Sequence, residues 1–186
     1  MTKAVIFDRD GVLIDSERTN VLAAEKTFAE FGISLSDDEK QAVVGWHPDE
    51  YLLPHLERHD IDRDKFKALQ RQNYYELIKT TRVFHETIEF ARRLKAQGLS
   101  LALCTSASRA GTDGILKMLG VEGLFDLIVA NDDYSHKKPD PEPYLVTARK
   151  LGFAPADCVV IEDSGVGLAS AVAAGIRCVI LYNDYT

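Results

Sequence analysis

Two aspartates one residue apart, Asp8 and Asp10, follow the apolar run Ala4-Val5-Ile6-Phe7 and precede Gly11. A run of that length punctuated by glycine suits a buried strand, which puts both carboxylates where the strand ends. The pattern recurs along the chain. Thr105 and Ser106 follow the apolar stretch 99–104; Asp132, Asp133, Lys137 and Lys138 follow a third; Glu162 and Asp163 follow 158–161. Singly, each has a plain structural explanation: a turn, a helix cap, a solvated lysine, a carboxylate at a helix N-terminus. Their joint occurrence at successive strand tips does not, because ligands of open α/β sheets gather at the carboxyl ends of the strands. Converging carboxylates repel and are driven upward in pKa unless a cation neutralises them. Mg²⁺, a hard ion that takes oxygen ligands, is the economical partner. A lysine and a hydroxyl would hold an anion beside it. One aspartate can attack phosphorus and the other can move the protons. Carboxylate nucleophile, acid/base, metal and lysine together describe phosphoryl transfer.

The elements that must position these groups alternate in type. After the first strand, residues 15–80 read as helices without a strand: 16–31 with Ser16 as its cap, a short helix capped by Ser36, and patterns over 49–57 and 62–79. From residue 84 strands and helices alternate: a helix to 96, strand 99–104, helix 109–119, strand 124–130, helix 141–151, strand 158–161, helix 167–174 and strand 177–181. Such alternation predicts an α/β fold, a Rossmann-like three-layer core with a parallel five-stranded sheet and right-handed crossovers. The expected order is 3-2-1-4-5, with Asp8 central beside the switch point. The core is expected over 1–14 and 81–186, and an inserted helical cap over 15–80.

The 186 residues carry 22 Lys+Arg against 29 Asp+Glu, a formal net charge of −7. That balance argues against a nucleic-acid partner or an anionic membrane surface. No run approaches the length of a membrane span, and no leader-like segment opens the chain. Cys104, Cys158 and Cys178 fall in or beside apolar strands without metal spacing, which suits small core residues in a reducing, cytoplasmic setting. A monomer is expected, with a weak dimer as the alternative.

The runs Asp8-Arg9-Asp10-Gly11-Val12-Leu13, Thr105-Ser106, Lys138-Pro139 and Glu162-Asp163-Ser164 resemble, in order, the four motifs of the haloacid dehalogenase superfamily. Ile14-Asp15-Ser16-Glu17 and the stretch 160–167 resemble its helical-cap branch, which includes β-phosphoglucomutase and many small-molecule phosphatases. The resemblance implies Asp8 as nucleophile and metal ligand, Asp10 as general acid/base with its carbonyl on the metal, and Asp163 as a second carboxylate ligand. Glu162 would assist at the metal. Thr105 and Lys138 would bind the phosphoryl group, with Arg9 and Ser106 on the same anion; of the two lysines the pattern selects Lys138. Mg²⁺ would be the cofactor. Residues 15–80 would form a mobile cap, and Trp46 and His47 at its break would face substrate, although a lone Trp or His in a helical block more often packs or sits at the surface.

Departures from the branch bear on the reaction. Mutases of this group carry a histidine about where Asn20 stands, and an arginine in the loop that here reads Trp46-His47-Pro48. Both differences favour a phosphatase of a small phosphomonoester, a sugar phosphate or similar metabolite, over a sugar-phosphate mutase. Dehalogenases and phosphonate-cleaving relatives lack the second aspartate, and Asp10 is present. Gly165-Val166-Gly167 superficially matches a dinucleotide fingerprint, but Glu162 and Asp163 would repel a pyrophosphate. A non-enzymatic phospho-aspartate switch uses similar residue types, yet a helical insertion after its first strand would be unexpected.

Overall fold

The computed structural model describes residues 1–43 and 56–182. Trp46 and His47 lie outside them. Five short strands, β1 (Ala4–Phe7), β2 (Ser100–Cys104), β3 (Leu127–Val129), β4 (Cys158–Glu162) and β5 (Arg177–Ile180), form one parallel sheet. Its order is β3-β2-β1-β4-β5, as the sequence predicts. β1 is therefore central, and the direction of winding reverses between it and β4. Helices α4 (His85–Ala96), α5 (Arg109–Leu119), α6 (Glu142–Leu151) and α7 (Gly165–Ala173) make the crossovers.

The alternation of side chains along each strand builds the layers. Ala4 and Ile6 of β1 pack with Tyr144 and Ala148 of α6 and Ala171 of α7. Val5 and Phe7 face the opposite way, onto Ile88 and Ala91 of α4 and Leu116 of α5. Both faces are thus covered by helix, which is why the strands read as unbroken apolar runs.

The helical segment was expected to begin with Ser16 as the cap of α1 (Ser16–Glu30); instead Asp15 is the cap, its carboxylate accepting the Arg18 amide at 3.4 Å, and Ser16 is buried in the first turn. A carboxylate one residue earlier can reach the first-turn amides and also suits the helix dipole. Ser36 does cap α2 (Asp37–Val43), in a reciprocal pair with Glu39: the Glu39 amide donates to Ser36 Oγ and the Ser36 amide to Glu39 Oε2. In α3 (Arg63–Leu77), capped by Asp62, Phe66 packs against Phe28 in a tilted pair, 4.7 Å between ring centres. The chain forms two compact units, one of Met1–Ile14 with the residues from Val83 onward, the other of Asp15–Arg82. Among the described residues no helix is long and apolar enough to cross a membrane.

Candidate active site

Register brings the strand tips level. Phe7 pairs with Leu103 of β2 and Ile161 of β4, so the next residue, Asp8, lies between Cys104 and Glu162. The Asp8 amide donates to the Ile161 carbonyl at 2.9 Å, extending the ladder one residue past β1. The chain then turns: the Leu13 amide returns to the Arg9 carbonyl, and Gly11 takes φ +69°. That glycine is required twice over. Positive φ disfavours a side chain, and a Cβ there would lie 1.7 Å from Asp163 Oδ2. Gly11 thus clears the space into which the Asp163 carboxylate projects from the end of β4.

Lys138 is the hub. Its ammonium donates to Asp8 Oδ1 and Glu162 Oε1, both at 2.7 Å, and to the Cys104 carbonyl at 3.3 Å, with the side chain 6% exposed. It also lies 4.7 Å from the centre of the Tyr144 ring, whose hydroxyl donates to Glu162 Oε1 at 2.8 Å. The other oxygen of Glu162 accepts from the amides of Asp163 and Ser164 and from the Ser164 hydroxyl, at 2.9–3.0 Å. Gly167 makes room for this carboxylate, since a Cβ there would lie 1.7 Å from Oε1. Both oxygens of Glu162 are committed to the protein, so its work here is to hold Lys138 and the first turn after β4.

These contacts set the charges. Burial pushes the Asp8 carboxyl up to about 8, with Glu162 and Asp10 adding to the rise and Lys138 opposing it. Burial also acts against Lys138, but the surrounding oxygens of Asp8, Tyr144 and Glu162 outweigh it and hold the ammonium well above the ordinary lysine range. Glu162 is lowered: burial would raise it, but Lys138 and the Ser164 amide prevail. The centre therefore has one firmly charged cation, one firmly charged anion, and an aspartate whose ionisation calls for further positive charge.

Asp10 lies beside this hub. Thr105, fully buried at the end of β2, has its hydroxyl 3.4 Å from Asp10 Oδ2 and takes the Ala107 amide at 3.1 Å. Arg9 is buried, and its guanidinium engages Asp10 and Thr112. Ser106 is exposed on the loop after β2, as is Lys137 on the loop that carries Lys138.

Asp132 and Asp133 take structural partners: Asp132 accepts the Arg109 amide that opens α5, and Asp133 accepts the Ala130 amide. A separate set of potential ligand atoms, on His136, Asp140 and Glu142, lies within 4.8 Å. Its oxygens already fasten the Lys138 loop. Glu142 accepts the amides of Ser135 and His136, Asp140 accepts that of Glu142, and the Asp140 carbonyl takes the Ser170 hydroxyl at 2.6 Å.

The structure thus brings Asp8, Asp10, Arg9, Thr105, Lys138, Glu162 and Asp163 to one end of the sheet. It adds Tyr144 and Thr112, which sequence reasoning did not single out. Tyr144 and Thr112 carry only a helical-period signal, shared with every core residue of α6 and α5.

A doubly wound α/β protein with a carboxylate–lysine centre at its switch point is what the fold and site define. Comparison with known proteins makes this specific. The family model for haloacid dehalogenase-like hydrolases matches residues 5–181, and the chain belongs to that family. It is 34% identical to protein CbbY of Rhodobacter capsulatus, over 99% of this chain and 87% of that one. With the phosphorylated carbohydrates phosphatase of Thermotoga maritima it shares 33% identity, over 94% and 82%. The crystal structure of CbbY from Rhodobacter sphaeroides in complex with phosphate superposes with a TM-score of 0.83 at 26% identity, covering 100% of this chain and 88% of that one.

Proposed function

We propose that the chain is a Mg²⁺-dependent phosphatase of a small phosphomonoester, a sugar phosphate or similar metabolite, working through an aspartyl phosphate on Asp8. The observation that carries this reading is the Lys138 ammonium bridging Asp8 and Glu162 at the switch point, with Asp163 aimed past Gly11 beside them. In the first step an Asp8 oxygen bonds to phosphorus, the ester P–O bond breaks, and Asp10 gives its proton to the departing oxygen. In the second step water bonds to phosphorus, its proton passes to Asp10, and the acyl phosphate opens to release phosphate and restore Asp8. Lys138 and Thr105 hold the phosphoryl oxygens, with Ser106 at the loop.

The residues fit the metal. The donors available are oxygens, Gly11 leaves a cradle that any Cβ would fill, and burial leaves Asp8 in need of positive charge. Asp8, Asp163 and the Asp10 carbonyl would hold Mg²⁺, with Glu162 steadying Asp163 through its amide. Bound there, the ion would neutralise charge on the phosphoryl oxygens. The unit Asp15–Arg82 would serve as a cap that excludes water and selects substrate, with Trp46 and His47 as its substrate-facing residues. The name of the Thermotoga maritima relative supports a phosphorylated carbohydrate, and Asn20 supports hydrolysis over mutase chemistry. The test is phosphate release from a panel of small esters with Mg²⁺ or with chelator. Release confined to Mg²⁺ is expected; release unaffected by chelator would overturn the metal assignment.

A further inference from the structure

Between the two aspartates of the β1 turn stands Arg9, a residue only 5% exposed and too deep to meet a substrate freely. Its Nη2 donates to both oxygens of Asp10, at 2.8 and 2.9 Å, and its Nε to Oδ1 at 3.2 Å. Nη1 donates to Thr112 Oγ1 at 3.3 Å, and that hydroxyl donates in turn to the Ser108 carbonyl at 2.9 Å, inside the first turn of α5. Thr112 is fully buried, and Ser108 itself caps α5 by accepting the Gly111 amide. A rigid chain of contacts therefore runs from the α5 N-terminus through Thr112 and Arg9 to the Asp10 carboxylate.

The geometry points to Arg9 as a positioning residue that fixes the Asp10 carboxylate for proton transfer, with Thr112 as its anchor; this rests on the phosphatase reading above. Neighbouring residues of an extended turn diverge, so Asp10 has no covalent reason to keep one orientation. The Arg9 guanidinium supplies that orientation, with Nε and Nη2 on Oδ1 and Nη2 alone reaching Oδ2, so that Oδ2 is the oxygen it engages less and the one left to carry the proton; lysine, a point charge, cannot reproduce the grip. Misplacing a catalytic group by about 1 Å costs on the order of 100-fold in rate.

The leaving group gives the test. An alkyl ester departs as a poor alkoxide and needs the proton from Asp10, whereas a p-nitrophenyl ester leaves readily without it. Arg9→Met should lower kcat/KM for glycerol phosphate by about 100-fold and for p-nitrophenyl phosphate by less than about 10-fold. Arg9→Lys should recover only part of the loss, and Thr112→Val should show the same pattern more weakly. Equal losses on both esters, or none, would overturn the assignment. A crystal structure of Arg9→Met reports without turnover: a displaced Asp10 carboxylate is expected, and one unmoved would refute the role. Failure of the wild type to hydrolyse any ester would count instead against the phosphatase reading, leaving the crystal structure to decide on Arg9.

Discussion

Asp8 stands between two demands, since burial favours its proton and its work as a nucleophile requires the charge. At neutral pH the metal-free protein holds most of that proton, because the carboxyl titrates at about 8. Binding of Mg²⁺ must displace it, so affinity should climb by up to about tenfold per pH unit between pH 6 and 8. Titration calorimetry at the two pH values checks this; equal affinities would contradict it. Glu162 runs the other way. Its pKa is lowered from the ordinary 4.5, so its stabilisation is complete above that value and is lost as pH falls through the lowered one. Glu162→Gln should cost about 3 kcal/mol at neutral pH, because it takes from a buried ammonium its firmly charged partner. Thermal melts should show the variant losing less than the wild type on acidification, and parallel curves would refute the pairing. The sequence displays these acids plainly, each sitting directly after an apolar run. Tyr144 is invisible there, because its hydroxyl meets Glu162 only once α6 packs on the sheet.

Two glycines belong to the scale of elements, since each lets a turn pass close to a carboxylate from β4. Gly167→Ala would drive a methyl into Glu162, and the first turn of α7 or the carboxylate must shift. A loss of about 1–3 kcal/mol is expected on denaturant unfolding, together with reduced turnover; an unchanged midpoint would show that the turn yields freely. Gly165-Val166-Gly167 superficially matches a dinucleotide fingerprint in the sequence, but in the structure Gly167 spaces a helix from an acid. Element boundaries were legible where glycine or a capping residue marks them, as at Gly120 after α5. They blurred where side chains replace backbone pairing. The third strand, expected over 124–130, is only Leu127–Val129. Asp126 stands before it, its carboxylate accepting the Leu101 amide at 2.9 Å and its own amide donating to the Leu101 carbonyl.

For the molecule as a whole, parallel pairing was readable because helices between strands force crossovers of one hand, whereas alternation alone does not decide among the doubly wound orders. What the order achieves is to set tips distant in sequence side by side: Asp8, Thr105, Lys138 and Asp163 span most of the chain yet serve one end of one sheet. The arrangement of residues at 44–55, where Trp46 and His47 fall, lies outside the described residues. The central claim is that Asp8 carries the phosphoryl group. Its most direct test is acid quenching during turnover of a small phosphate ester, followed by mass spectrometry of the peptides, with Asp8→Asn run beside the wild type. The account predicts phosphate on the Asp8 peptide, and phosphate release slowed by more than about a thousandfold in the variant. Phosphate found on another residue, or release by Asp8→Asn at the wild-type rate, would contradict it.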